Sequence, residues 1–149
     1  MFQFELVTIL LIESDFVQAR LIEKNLQAAN VTNPLFLVRE GLEALDYLLS
    51  KGSYQGHKLP SPLMVILDLD MADGSAVRVL TAINADVNLR KLPVMLLTTS
   101  DSQAEVAKAM ELGFERFIKK PVNNEKIAAA VNAAGYFFSI VAMHKKRES

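Results

Sequence analysis

The sequence has no cysteine and only two histidines, and these absences exclude several kinds of site. Without cysteine there can be no disulfide framework, no thiolate zinc site and no thiol nucleophile. His57 and His144 lie far apart along the chain, so we do not expect a histidine metal cluster. Chemistry in this protein has to come from carboxylates, hydroxyls and amines.

A long hydrophobic run and an excess of one charge are also missing. The first apolar run ends at Glu13, which makes it too short for a membrane span or for the core of a signal peptide. Sixteen Lys and Arg residues balance 17 Asp and Glu residues, so no global field recruits nucleic acid or an anionic membrane. We therefore expect a cytoplasmic protein with no nucleic-acid or membrane partner.

Short apolar segments alternate with helical patterns along the 149 residues. The segments 6–12, 63–67 and 94–97 are continuous rather than alternating, as in strands covered on both faces, and weaker candidates lie at 35–38 and 114–118. Five amphipathic helices are predicted around them, the fourth with a capping box at 102–105. Strict alternation predicts an α/β fold, a three-layer α/β/α sandwich with a five-stranded parallel sheet.

We expect residues 1–149 to form a single domain, with 135–149 as a C-terminal helical extension and tail. The last helix pattern carries more apolar residues than one core can take: Tyr136, Phe137, Phe138, Ile140, Val141 and Met143. Such a patch either folds back on its own domain or pairs two copies of the chain, and we favour a homodimer.

Polar residues collect where the predicted strands end. Glu13-Ser14-Asp15, Asp68-Leu69-Asp70, Thr98-Thr99-Ser100 and Lys120-Pro121 follow four of the five strands. Taken singly, each is more often a helix cap or a solvated side chain. In open α/β sheets, however, ligands bind beyond the carboxyl ends of the strands. Carboxylates, hydroxyls and a lysine at one edge suit a divalent cation together with a phosphoryl group.

Five short motifs follow one another along the chain: LLIES at 10–14, VILDLDM at 65–71, DG at 73–74, PVMLLTTS at 93–100 and FIKKP at 117–121. Each motif alone is weak, but their order and spacing together are specific for one family. With them the chain resembles the response-regulator receiver family from Leu6 to about Ala134. QARLIEKNL and YLLSKGSY look most like the small single-domain regulators that partner phytochrome-type kinases. The resemblance implies the flavodoxin-like strand order 2-1-3-4-5, and a switch rather than an enzyme.

The resemblance also implies roles for single residues. Asp68 matches the phosphoacceptor, which takes a phosphoryl group from the phosphohistidine of a sensor histidine kinase. The phosphate-binding and switch positions are Thr98, Thr99, Lys120 and Phe117, with Lys120-Pro121 as a cis peptide. Glu13, Asp68 and the Asp70 carbonyl match the ligands of Mg²⁺. The first helix, with Gln18, Arg20 and Lys24 exposed, is the expected kinase-docking face.

Two departures from the family pattern border the predicted metal site. Ser14 stands where the family usually has a second acid, and a hydroxyl is a poorer Mg²⁺ ligand than a carboxylate. Asp15 either compensates in part or caps the first helix, and the Asp70 carboxylate can restore the missing charge. The loop from Asp68 to Gly74 is two residues short and lacks the usual proline. Either change can weaken or abolish metal binding or phosphorylation.

Two other functions fit parts of the pattern. The departures favour a pseudo-receiver, a binding module with the same fold that works without phosphorylation, although Asp68, Thr98 and Lys120 are all present. A haloacid-dehalogenase-type phosphatase is the enzyme alternative, because VILDLD at 65–70 ends in Asp-x-Asp. That motif should end the first strand, however, and the acidic cluster it needs after the lysine is missing, since only Glu125 and Glu148 follow.

Overall fold

The fold is seen in a computed structural model, which describes residues 2–133 and 141–145. Its strands are β1 (Phe2–Leu6), β2 (Thr8–Ile12), β3 (Leu35–Val38), β4 (Leu63–Asp68), β5 (Val94–Thr98), β6 (Phe117–Lys119) and β7 (Val141–Lys145). Its helices are α1 (Phe16–Ala28), α2 (Gly41–Leu49), α3 (Ala76–Ala85), α4 (Gln103–Glu111) and α5 (Asn124–Ala133). A short 3₁₀ turn, Ser100–Ser102, precedes α4.

Five strands form one parallel sheet in the order β3-β2-β4-β5-β6. Counting only these five strands along the chain, the order is 2-1-3-4-5, so the predicted fold class and strand order are confirmed. The order reverses between β2 and β4, where the sequence turns from one edge of the sheet to the other. In this class of fold, ligands bind at the carboxyl ends of the strands beside such a switch point.

Successive residues of each central strand enter different cores, because side chains alternate across a sheet. Ile9 and Leu11 of β2 pack with α1 and α5, while Leu10 and Ile12 pack with α2, α3 and α4. All six residues of β4 are buried. Because both faces are covered by helices, the strands are apolar throughout, which is why the sequence shows continuous rather than alternating runs.

The two ends of the described chain differ from the sequence prediction. Phe2–Leu6 forms a strand of its own, and it pairs antiparallel with Val141–Lys145 in a separate two-stranded sheet. The expectation of a helical extension over 135–149 is therefore wrong for Val141–Lys145. The alternating sequence of Phe2–Leu6 supplies the partner strand, and backbone pairing with a remote segment overrides local helix preference. The aromatic residues at 136–138 lie outside the described residues.

None of the helices in the described residues is both long enough and apolar enough to span a membrane.

Candidate functional site

Asp68 is the last residue of β4 and lies at the carboxyl edge of the sheet, with 2% of its surface exposed. Its Oδ2 accepts a hydrogen bond from the Nζ of Lys120 at 2.6 Å. Its Oδ1 accepts the backbone N–H of Asp70 at 2.9 Å. The carboxylate is therefore held by one donor on each oxygen, and a buried charge is stable only when it is paired in this way.

Lys120 reaches this carboxylate from the end of β6. Its backbone N–H donates to the carbonyl of Thr98 at 2.8 Å, which continues the pairing of β5 with β6. The peptide bond between Lys120 and Pro121 is cis, as the family resemblance implied. The lysine side chain is 15% exposed and its Nζ also lies 4.0 Å from the Oε1 of Glu13. One cation thus faces two carboxyl groups.

Glu13 directly follows β2 and is completely buried. Its Oε2 accepts the backbone N–H of Asp15 at 3.4 Å, whereas its Oε1 has no hydrogen-bond partner. Burial raises the pKa of this carboxyl to about 8, and the neighbouring Asp68 carboxylate acts in the same direction. Lys120 and the Asp15 N–H lower the pKa only in part.

The donor set around Glu13 and Asp68 fits a divalent cation. An unpartnered buried carboxylate oxygen is costly, and a bound cation is one way to satisfy it. The carboxylates of Glu13 and Asp68, and the backbone carbonyl expected from Asp70, are oxygen donors of the kind that Mg²⁺ prefers. In residues 2–133 and 141–145, no group of three acidic or histidine side chains is arranged to hold a metal. The cation would thus rely on two side chains.

The side chains of Asp15 and Asp70, the other two acids at these strand ends, bond to groups outside the Glu13–Asp68–Lys120 cluster. Asp15 is the N-cap of α1, where its Oδ1 accepts the N–H groups of Val17 at 2.8 Å and Gln18 at 3.2 Å. Its suggested role as a substitute metal ligand therefore finds no support. The carboxylate of Asp70 accepts the Thr99 hydroxyl at 2.9 Å and the Ser102 hydroxyl at 2.7 Å. These bonds join the end of β4 to the turn before α4.

Ser102 is the site residue that sequence reasoning missed. We predicted a capping box from Ser102 to Glu105, but Ser102 makes no side-chain cap bond to α4. The capping box lies one turn earlier, because Ser102 Oγ accepts the N–H of Thr99 at 2.9 Å and Thr99 Oγ1 accepts the N–H of Asp101 at 3.3 Å. The sequence signal for this capping box is the pair of hydroxyl residues Thr99 and Ser102, three positions apart.

Thr98 and Phe117 lie on neighbouring strands next to this cluster. Thr98 ends β5 and is 7% exposed. Phe117 begins β6 opposite Leu96 and is half-buried against the core shared by α2, α3 and α4. The structure therefore brings Glu13, Asp68 and Lys120 into contact and places Thr98 at the adjacent strand end, while Phe117 packs on the helices rather than among the carboxylates.

Comparisons with known proteins agree with this geometry. Residues 9–132 match the response regulator receiver domain family. Response regulator Rcp1 of Synechocystis is 28% identical over 130 residues, which is 87% of each chain. Its Mn²⁺-bound crystal structure covers 89% of this chain and 94% of its own, with 27% identity and a TM-score of 0.69.

Two further solved structures are similar over most of their length. The bacteriophytochrome response regulator AtBRR has 33% identity and a TM-score of 0.77, and the match covers 89% of this chain and 95% of AtBRR. The phosphorylated cyanobacterial phytochrome response regulator RcpA has 29% identity and a TM-score of 0.70, over 87% and 91% of the two chains. The chain belongs to the response regulator receiver family and is a two-component signalling protein.

Proposed function

We propose that Asp68 accepts a phosphoryl group from the phosphohistidine of a sensor histidine kinase in a reaction that needs a divalent cation. The observation that carries this proposal is the buried Asp68 carboxylate, bonded to Lys120 at 2.6 Å beside an unpartnered oxygen of Glu13. Two carboxyl groups that could hold a cation, one of them the proposed nucleophile, lie beside a lysine at the carboxyl edge of the sheet. These are the parts that phosphoryl transfer requires.

In the proposed step, an Asp68 carboxylate oxygen attacks phosphorus, the bond between phosphorus and the histidine nitrogen breaks, and the imidazole leaves with the electron pair. Lys120 then exchanges the carboxylate oxygen for a phosphoryl oxygen. Thr98, at the end of the next strand, donates its hydroxyl to another phosphoryl oxygen. Thr99 can contribute only after its hydroxyl leaves Asp70. Phe117 is the side chain that we expect to move when Thr98 is engaged.

Glu13, Asp68 and the Asp70 carbonyl are the groups that would hold the cation. When bound there, Mg²⁺ supplies charge neutralisation for the phosphoryl oxygens. The relatives support this assignment, because Rcp1 has a Mn²⁺-bound form and RcpA a phosphorylated form. We infer Mg²⁺ as the working ion, and the lack of a third carboxylate predicts a weak site.

We propose that a phytochrome-type kinase docks on α1, by analogy with the bacteriophytochrome regulator AtBRR. The start of this helix presents an exposed apolar patch: Phe16 is 50%, Val17 66% and Leu21 47% exposed. The guanidinium groups of Arg20 and Arg39 lie 5.5 and 5.7 Å from the centre of the Phe16 ring. An apolar patch with cations at its rim, next to the phosphorylation site, suits a helical partner.

Phe16→Ala should slow phosphotransfer from a phosphorylated phytochrome-type kinase about tenfold, because an exposed aromatic anchor at an interface typically contributes more than about 1 kcal/mol. The rate with acetyl phosphate, which needs no docking surface, should not change. Val87→Ala, at an apolar residue that is 60% exposed after α3, is the matched control. An equal loss with both donors would place Phe16 in the chemistry instead of docking.

We also propose that the chain forms a homodimer through the apolar sequence that follows α5. The support is the apolar composition of 136–143, because apolar patches of this kind tend to mark interfaces. Sedimentation equilibrium should give twice the 16.5 kDa chain mass. A monomer at all concentrations would contradict the proposal.

The proposed function is tested by incubating the protein with acetyl phosphate, with and without Mg²⁺, and recording the intact mass. We expect a Mg²⁺-dependent gain of one phosphoryl group that Asp68→Asn abolishes. No gain in a folded sample would contradict phosphorylation and favour the phosphorylation-independent pseudo-receiver.

A further inference from the structure

The two departures from the family pattern meet in one hydrogen bond. Ala72, in the shortened loop after β4, donates its backbone N–H to the hydroxyl of Ser14 at 3.0 Å. The residues are 58 apart in sequence, so no local pattern reveals this contact. A proline at position 72 has no N–H and could not make the bond. Serine in place of an acid and alanine in place of proline are thus the two halves of one interaction.

This bond connects the two turns that carry the candidate metal ligands. Ser14 directly follows Glu13, and Ala72 lies two residues after Asp70. On the far side of the first turn, Arg39 donates to the carbonyl of Ser14 at 3.1 Å. The Ser14 turn is therefore held from two directions, and it ties the Glu13 side of the site to the Asp68–Asp70 side.

The rest of the short loop is held against α2. The Asp73 carboxylate accepts the N–H of Gly41 at 3.3 Å and that of Ser75 at 3.1 Å, and hydrogen bonds from Ser75 and Gly41 lower its pKa. A Cβ at Gly41 would lie 1.9 Å from the Ser75 hydroxyl, so the start of α2 packs directly on the end of the loop. The Asp73 end of the loop is thus held against α2, and the Ala72 bond joins the same loop to the turn after Glu13.

We propose that Ser14 is a positioning residue that acts through Ala72 and is not itself a metal ligand: it holds the shortened loop so that Glu13, Asp68 and the Asp70 carbonyl keep the spacing of a cation site. This rests on the proposed function, since the site it positions is the cation site of phosphoryl transfer. It assigns the serine a task that the usual second acid does not have. The two departures then compensate each other instead of adding up to a damaged site.

The first test is amide hydrogen exchange of metal-free protein, followed by NMR. Ser14→Ala should raise the exchange rate of the Ala72 amide about fivefold, the effect of losing one hydrogen bond, whereas Ser14→Thr should retain protection because it keeps the hydroxyl. An Ala72 amide that exchanges equally fast in wild type and Ser14→Ala would overturn the proposal. This readout needs neither Mg²⁺ nor phosphorylation, so it is independent of the proposed function.

The second test distinguishes a Ser14 that positions the loop through Ala72 from a Ser14 that binds the metal directly. Mg²⁺ affinity is measured by NMR titration, and the phosphorylation rate with acetyl phosphate is followed against Mg²⁺ concentration. Ser14→Ala, Ala72→Pro and the double variant should all weaken Mg²⁺ binding about fivefold, with the same rate at saturating Mg²⁺, and the two changes should not add. Ala72→Gly keeps the N–H and is the control.

Weaker Mg²⁺ binding by Ser14→Ala together with normal Mg²⁺ binding by Ala72→Pro would show that Ser14 is a direct ligand and would overturn the proposal. Additive losses, or a fall in the saturated rate alone, would also contradict it. If wild type has a protected Ala72 amide but does not bind Mg²⁺, both the cation site and the positioning role of Ser14 are refuted. If wild type binds Mg²⁺ but its Ala72 amide is unprotected, only the positioning role of Ser14 is refuted.

Discussion

Lys120→Met is expected to lower the rate of phosphorylation by acetyl phosphate about 100-fold or more. Lys120 is the one cation in contact with the Asp68 carboxylate among the described residues, and it is the group that we propose moves onto the phosphoryl oxygens. Removing a preorganised charge from a largely buried site typically lowers the rate about 10²–10³-fold. The rate is measured by intact mass against time at saturating Mg²⁺.

The neighbouring Lys119 provides the matched control. It is exposed and is the last residue of β6, directly before Lys120, so Lys119→Met removes an equal charge without touching the site and should leave the rate unchanged. Lys120→Met leaves the buried Asp68 carboxylate without its counter-charge, which typically costs about 3–5 kcal/mol of stability. Lys120→Arg keeps the charge and therefore serves as the folded comparison. Phosphorylation of folded Lys120→Met at the wild-type rate would show that the lysine plays no part in transfer.

Glu13→Gln is expected to change the pH dependence of stability in metal-free buffer. The pKa of the Glu13 carboxyl rises from its ordinary value of 4.5 to about 8 in the folded chain, first through burial and then through Asp68. Between these values the folded protein keeps a proton that the unfolded chain has released. The free energy of unfolding of wild type should therefore fall as pH rises from about 4.5 to about 8, and level off above that range.

Glutamine has no proton to lose, so this slope should disappear in the variant. Above pH 8 the variant should be more stable than wild type by an amount on the order of a few kcal/mol, since one pKa unit corresponds to about 1.4 kcal/mol. Urea unfolding in EDTA at several pH values measures this difference. Glu115→Gln, at an exposed residue, should keep the wild-type slope. A persistent slope in Glu13→Gln would assign the titration to another group.

The same variant should bind Mg²⁺ at least about tenfold more weakly, because it loses one of the two carboxylates that we propose as ligands. In wild type the affinity should increase as pH approaches about 8, since the cation competes with the proton on Glu13. Calorimetric titration at two pH values tests both statements. Unchanged affinity in the variant would remove Glu13 from the cation site.

The sequence by itself determined the layers of the fold and the members of the central cluster. Continuous apolar segments mark strands buried on both faces, and strict alternation with amphipathic helices leaves a parallel sheet as the arrangement. Glu13 and Asp68 lie at the ends of such strands and Lys120 follows the weaker last strand, so their meeting at one edge results from topology. This part is predictable because hydrophobic periodicity is local and the handedness of the crossovers is nearly invariant.

Only the tertiary structure decided what the remaining polar groups do. Asp70 turns to Thr99 and Ser102, Asp15 caps α1 and Ser14 binds Ala72. A carboxylate or hydroxyl bonds to whichever donors or acceptors the fold places beside it, and the partners of Asp70 and Ser14 are 29 to 58 residues away in the sequence. The strand at Val141–Lys145 has the same origin: its partner is at the other end of the chain, so local helical periodicity could not predict it.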